Sequence, residues 1–169
     1  MISRATAPIH IVGRRHHGKT TLIARLIPRF SSRGIRVGTI KHSSHFHELD
    51  TEGKATYQHR EAGASPVAAI TRGLSAVYLH DLSDQDCYDK LMPLFDDCDL
   101  LLIEGDLERK GVKVEVWRKG LNTAPLASER TDIRAVITDD PVDLAVPVWP
   151  RADLDCIADR LLELARGRG

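Results

Sequence analysis

An α/β fold with a mostly parallel central sheet flanked by helices is predicted for this 169-residue chain by three features. Short apolar runs of strand length alternate with segments of helical period, the order in which strand–helix–strand units build a parallel sheet. Residues 99–103 (DLLLI) are almost wholly apolar, as expected of a strand covered on both faces. A third run, residues 8–12, leads straight into the glycine-bounded stretch GRRHHGKTT and then an amphipathic segment.

Taken in order, residues 8–12 (PIHIV) read as the first strand, ending at Gly13. Residues 19–33 set Leu22, Ile23, Leu26, Ile27 and Phe30 at helical spacing, with Gly34 as the C-cap. Pro28 is expected to kink that helix, because its ring clashes with the carbonyl four residues back. Residues 36–41 (RVGTIK) read as a strand and 42–53 as a loop. Residues 54–62 look helical, 66–71 and 75–79 extended, and 84–95 an amphipathic helix. After the apolar strand at 99–103, residues 112–117 alternate, which predicts a strand nearer the sheet edge and a candidate for pairing in a homodimer. Strands at 133–138 and 146–149 and a helix at 153–165 close the chain. No repeat, linker or low-complexity tract interrupts it, so residues 1–169 are expected to form a single nucleotide-binding domain.

Composition narrows the function classes. Lys and Arg number 24, Asp and Glu 24, so no global charge points to nucleic acid or an anionic membrane. Cys87, Cys98 and Cys156 form no C-x-x-C pair, which argues against a zinc knuckle or thioredoxin-like site. No apolar run approaches the roughly 20 residues needed to cross a bilayer. The N-terminal residues carry no signal-peptide pattern. The expectation is a soluble, cytoplasmic chain.

Residues 13–21 fit G-x-x-x-x-G-K-[ST], a loop whose backbone N–H groups cradle phosphates at a helix N-terminus. Gly13 and Gly18 stand where a Cβ is hardest to accommodate. Lys19 is expected at the β- and γ-phosphates, the Thr20 hydroxyl on Mg²⁺, and Thr21 near the α-phosphate. The variable positions Arg14, Arg15, His16 and His17 contribute mainly backbone donors, with Arg14 or Arg15 either near phosphate or solvated. This strand–loop–helix order makes the predicted architecture a three-layer phosphate-loop NTPase fold.

Mg²⁺ favours oxygen ligands, often one or two carboxylates with waters and phosphates. Glu104, at the end of the buried strand in DLLLIEG, is the first choice for the acid near it, with Asp106 as the alternative. The loop KHSSHFHELDTEGK (41–54) gathers His42, His45 and His47 with Glu48 and Asp50, side chains that can also hold a transition metal.

GxxxxGKTTL, RGIRVGTIKH, the His/Asp loop ending in GK, REAGA and DLLLIEG, in that order, resemble the molybdopterin-guanine dinucleotide biosynthesis adapter (MobB) family. The similarity spans residues 9–104 and continues through SERTDIRAVITDD (128–140). The resemblance implies a homodimer that binds GTP with Mg²⁺, assists the nucleotidyltransferase joining GMP to molybdopterin, and hydrolyses GTP slowly at most. It implies nucleotide contacts by Gly13, Gly18, Lys19, Thr20 and Thr21. It also implies that Lys41, His42, His45 and Asp50 face the site from their loop, with Glu104 at the acidic strand end. Arg60 of REAGA matches without an assigned role. The chain departs from the family pattern at RRHH, at Ala55-Thr56 after GK, and at EGDL (104–107).

No N-K-x-D motif reads guanine, although ITDD (137–140) could supply Asp139 or Asp140 to its N1 and N2 donors; a solvated turn is the alternative. Among catalytic roles, Lys19 would act on phosphate and Asp50 could orient a water. Two other functions fit the same residues. One is a small-molecule kinase, with Asp50 or Glu104 activating an acceptor hydroxyl. The other is a metal-delivery GTPase using His42, His45 and His47.

Overall fold

The computed structural model describes residues 7–45 and 48–167. Among these, the chain forms two compact units, residues 7–44 with 95–167, and residue 45 with 48–94.

The first unit is built on a six-stranded sheet of order β2-β5-β1-β6-β7-β8. Its strands are β1 (Ile9–Val12), β2 (Val37–Lys41), β5 (Leu100–Glu104), β6 (Val112–Val116), β7 (Ile133–Ile137) and β8 (Val148–Trp149). Every pairing is parallel. All the strands' carboxyl ends therefore lie along one edge of the sheet, where open α/β folds bind ligands.

Two helices, α1 (Lys19–Ser31) and α4 (Leu154–Ala165), cover one face. Leu22, Ile23, Leu26 and Phe30 recur along one stripe of α1 and pack with Ile9, Ile11, Leu100, Leu102, Val114, Val116 and Ile137. From α4, Leu154, Ile157, Ala158 and Leu161 complete this core. Asp153 caps α4 by accepting from the Cys156 N–H at 3.0 Å, satisfying one donor the first turn leaves unpaired. Pro28 lies within α1, and Gly34 follows the helix at φ 73°. A second cluster, Val12, Leu126 and Ile133, lies apart from this core.

β6 departs from expectation. It runs between β1 and β7, in the interior of the sheet, so neither of its edges is free to pair across a dimer. Its alternation misleads because the polar residues are buried and paired. Lys113, 2% exposed, forms an ion pair with Asp132 at 2.9 Å. Glu115, 1% exposed, accepts from the Leu126 and Ala127 N–H groups at 2.8 and 2.9 Å.

The second unit contains α2 (Ala55–Glu61), α3 (Asp84–Leu91) and an antiparallel hairpin of β3 (Val67–Ile70) and β4 (Ser75–Tyr78). The predicted helix over 84–95 is α-helical only to Leu91 and continues as a 3-10 turn, Met92–Phe95. Pro93 falls in that turn, where its missing N–H and its ring oppose continued α-helix. No helix among the described residues is long and apolar enough to cross a membrane.

Removing the Glu115 carboxylate leaves two inward N–H groups without an acceptor. Glu115→Ala is expected to lower stability by about 2–4 kcal/mol, and Glu115→Gln, which keeps an acceptor oxygen, by clearly less. Urea midpoints at constant slope measure both; equal losses would refute the hydrogen-bond account.

Candidate functional site

The loop between β1 and α1 takes its shape from two glycines. Gly13 has φ 137° and Gly18 φ 86°, conformations open to glycine and strained for other residues. Space forbids a side chain as well: a Cβ at Gly13 would stand 2.4 Å from the Val116 carbonyl oxygen, and one at Gly18 2.4 Å from the Arg151 guanidinium. His16 also adopts a left-handed conformation, φ 66°, which histidine tolerates better than most residues.

The loop is braced from behind by residues that no motif announces. Arg151, 7% exposed, donates from Nη1 to the His17 carbonyl at 2.7 Å and from Nη2 to the Gly18 carbonyl at 3.1 Å. The His17 side chain is buried away from solvent rather than displayed on the loop. Its Nδ1 accepts from the Arg118 N–H at 2.9 Å, so Nε2 carries the proton and faces the Thr123 hydroxyl at 3.2 Å. Burial and the surrounding charges of Lys19, Arg14, Arg118 and Arg151 push its pKa down and keep the ring neutral. Thus His17 belongs to the scaffold of the loop through its side chain, whereas Arg14, Arg15 and His16 are exposed.

Lys19 and Thr20 open α1. The Lys19 ammonium donates to the Gly13 and Arg14 carbonyls at 2.7 and 2.8 Å, spanning the hollow of the loop. Burial lowers its pKa, with Glu104 acting in the opposite sense. The Thr20 hydroxyl donates to Glu104 Oε1 at 2.6 Å, across 84 residues of chain. Lys41, in register with Glu104 on the neighbouring strand, reaches the same oxygen at 2.5 Å. Burial alone would raise the Glu104 pKa; the Lys41 and Thr20 hydrogen bonds and the Lys19 charge overcome it and hold the carboxylate ionised. A hydroxyl and an ionised carboxylate are hard oxygen donors, the kind Mg²⁺ takes. Asp106, the other acid considered, sits beyond Gly105 at φ 56°, and Thr20 bonds Glu104.

The other predicted residues distribute as follows. Thr21 is exposed in the first turn of α1. His42 continues from β2, its N–H donating to the Glu104 carbonyl at 3.0 Å. His45 and Asp50 belong to the second unit. There Asp50 Oδ1 accepts from the Thr51 N–H at 2.8 Å and the Thr56 hydroxyl at 3.1 Å. Arg60 pairs with Glu48 at 2.6 Å and lies 5.2 Å from the centre of the Tyr57 ring, a structural role for the arginine of REAGA. His47 lies outside the described residues. Among the described residues, no group of three or more His, Cys, Asp or Glu could hold a metal ion.

Comparison with known proteins decides the family. The family described as molybdopterin guanine dinucleotide synthesis protein B matches residues 9–139. The chain belongs to this family. A molybdopterin-guanine dinucleotide biosynthesis adapter protein of Escherichia coli is 32% identical over 151 residues, covering 86% of both chains. One from Haemophilus influenzae is 34% identical, covering 79% of this chain and 75% of its own. Among solved structures, a MobB protein homologue from Bacillus stearothermophilus is 31% identical with a TM-score of 0.67 and covers 95% of this chain and 98% of its own. Bacillus subtilis MobB, at 26% identity, gives 0.70 over 92% and 98%. The two solved structures share the overall fold of this chain.

A neutral, buried histidine has a defined consequence for pH dependence. His17 has a folded pKa below its unfolded value near 6.5. The unfolded chain therefore takes up the proton first, and stability present above that value is lost as pH falls through the folded pKa. His10, 2% exposed and likewise lowered chiefly by burial, adds in the same direction. The thermal midpoint is expected to fall between pH 7 and 5, and less steeply in His17→Asn. An unchanged slope in that variant would remove His17 from the account.

Proposed function

We propose that this chain is a GTP-binding adapter of molybdopterin guanine dinucleotide biosynthesis, holding GTP·Mg²⁺ and assisting the nucleotidyltransferase that attaches GMP to molybdopterin. The observation that carries the reading is the Thr20–Glu104 hydrogen bond at 2.6 Å, which joins the start of the phosphate-loop helix to an acidic strand end. The printed names of the E. coli and H. influenzae relatives support the adapter role.

On this reading the loop's N–H groups and Lys19 hold the phosphates, while Thr20 and Glu104 hold Mg²⁺, whose charge offsets that of the phosphates. Lys19 turns from the Gly13 and Arg14 carbonyls to the phosphate oxygens. Hydrolysis is slow at most, because Glu104 already accepts from Thr20 and Lys41 and is a poor general base. Homodimer formation is part of the proposal, through a surface other than the enclosed strand β6.

Calorimetric titration with Mg²⁺ tests the reading. GTP is expected to bind in preference to ATP, and Lys19→Ala to weaken binding at least about tenfold, the loss of one charge-assisted contact. Glu104→Gln is expected to weaken GTP binding with Mg²⁺ present and to change it little in chelator. The adapter role requires that GMP transfer by the partner nucleotidyltransferase rise on adding wild type and not Lys19→Ala. Preference for ATP would favour a small-molecule kinase instead.

A further inference from the structure

Two exposed segments of the first unit meet at one buried histidine. One is the tip of the phosphate loop, where Arg14, Arg15 and His16 are exposed. The other is the turn that follows β6, where Arg118, Lys119 and Leu121 are exposed. The His17 ring lies between them: Nδ1 accepts from the Arg118 N–H at 2.9 Å, and Nε2 faces the Thr123 hydroxyl at 3.2 Å. Arg14 reaches the same junction, since its charge acts on His17 and on Glu115 near the end of β6.

The turn is braced from within. Trp117 Nε1 donates to the Thr123 carbonyl at 2.8 Å, and the Lys119 N–H donates to Asp140 Oδ2 at 2.8 Å. Lys119–Leu121 forms a 3-10 turn that Asn122 closes at φ 50°, its N–H donating to the Lys119 carbonyl at 3.0 Å. Leu121 is 41% exposed on this turn. A lone exposed leucine is ordinary on a protein surface. One carried on a fixed turn with Arg118 and Lys119 is already shaped for a partner, so little ordering entropy opposes its docking.

The cations of both segments are uncommitted. The side chains of Arg14, Arg15, Arg118 and Lys119 form no hydrogen bond or ion pair among the described residues. Elsewhere in this unit Arg29 and Arg33 pair with Asp155, Lys113 and Arg130 with Asp132, and Arg160 with Glu163. Arginine, which predominates here, is enriched at protein interfaces where lysine is depleted, and its planar fork takes a carboxylate through two hydrogen bonds. Nucleic acid fits this surface less well, because neither segment offers an aromatic ring for a base to stack on. The neighbouring Trp117 is only 5% exposed and its N–H is engaged.

We propose that the loop tip and the 118–122 turn together form a docking surface for an acidic patch on a protein partner. Leu121 is its apolar contact, and Arg14, Arg15, Arg118 and Lys119 are its charged contacts. The inference rests on the adapter reading above and adds to it the place where the nucleotidyltransferase docks. A partner seated there stands beside the phosphate loop, so the bound nucleotide is presented to it.

Association of the full chain with the partner nucleotidyltransferase, followed as rate and affinity across salt, tests it. For wild type the association rate is expected to fall at least about tenfold from roughly 30 to roughly 300 mM salt. Lys119→Glu/Leu121→Ser is expected to slow association about tenfold at the low end and to flatten the salt dependence, while GTP affinity stays within about twofold. Arg15→Glu is expected to slow association in the same way, and it decides where thermal midpoints show that the double variant does not fold. Association of the folded variants at wild-type rates at every salt would overturn the surface and leave the adapter reading intact. Retention of a labelled single-stranded or duplex oligonucleotide that the same variants lose, with the nucleotidyltransferase unaffected, would reassign the surface to nucleic acid and overturn the proposal. No association of wild type with the nucleotidyltransferase at any salt would overturn the adapter reading and this surface with it.

Discussion

A loop that aims its N–H groups into one hollow must turn carbonyls the other way, and those carbonyls need partners of their own. Here one buried guanidinium supplies two of them: Arg151 takes the His17 and Gly18 carbonyls together. Its planar fork suits a pair of neighbouring acceptors in a way that a lysine's single ammonium would not. The His17 imidazole fixes the other flank of the loop by accepting from Arg118. Because Arg151 follows β8 and Arg118 follows β6, the loop's form depends on the far half of the sheet being assembled. The phosphate loop is thus a product of the tertiary fold as much as of its own nine residues.

The same construction concentrates positive charge. Lys19, Lys41, Arg14, Arg118 and Arg151 all contribute near the loop, and burial lowers the pKa values of Lys19 and Arg151. A zero net charge for the whole chain conceals this local field. Glu104 is the counterweight, and it is shared by two donors on a single oxygen. An anion entering the hollow would meet Lys19 and Arg151 already partly desolvated, with Lys19 turning to it from the Gly13 and Arg14 carbonyls.

Elements whose local pattern and tertiary role agree could be read directly from the sequence. The apolar run at 99–103, the 3.6-residue stripe of α1 and the glycine spacing of the loop each specify one structure. Misreading arose where burial broke the usual rule. Lys113 and Glu115 made β6 look like a strand near the edge, since alternation normally marks a solvent-facing side; their partners, Asp132 and the 126–127 turn, are distant in the pattern. The helix over 84–95 was read through Pro93, where the backbone tightens to a 3-10 turn. In the site, Lys19, Thr20 and Glu104 were legible because a motif and a strand end mark them. Arg118 and Arg151 were not: a lone arginine after a strand carries no periodic or motif signal, and only sheet order brings it to the loop.

Lys41 gives the site a further property. Its ammonium and the Thr20 hydroxyl both donate to Glu104 Oε1, the carboxylate that a divalent cation would approach. A cation arriving alone would meet Lys41 as a like charge at close range and would have to displace it from that oxygen. A cation arriving with a triphosphate brings negative charge that can accept Lys19 and Lys41 in turn. Electrostatics therefore favour joint occupancy over either ligand separately, which is the coupling between two ligands that a reciprocal linkage demands. On the proposed function, such coupling would let the metal leave when the phosphates do.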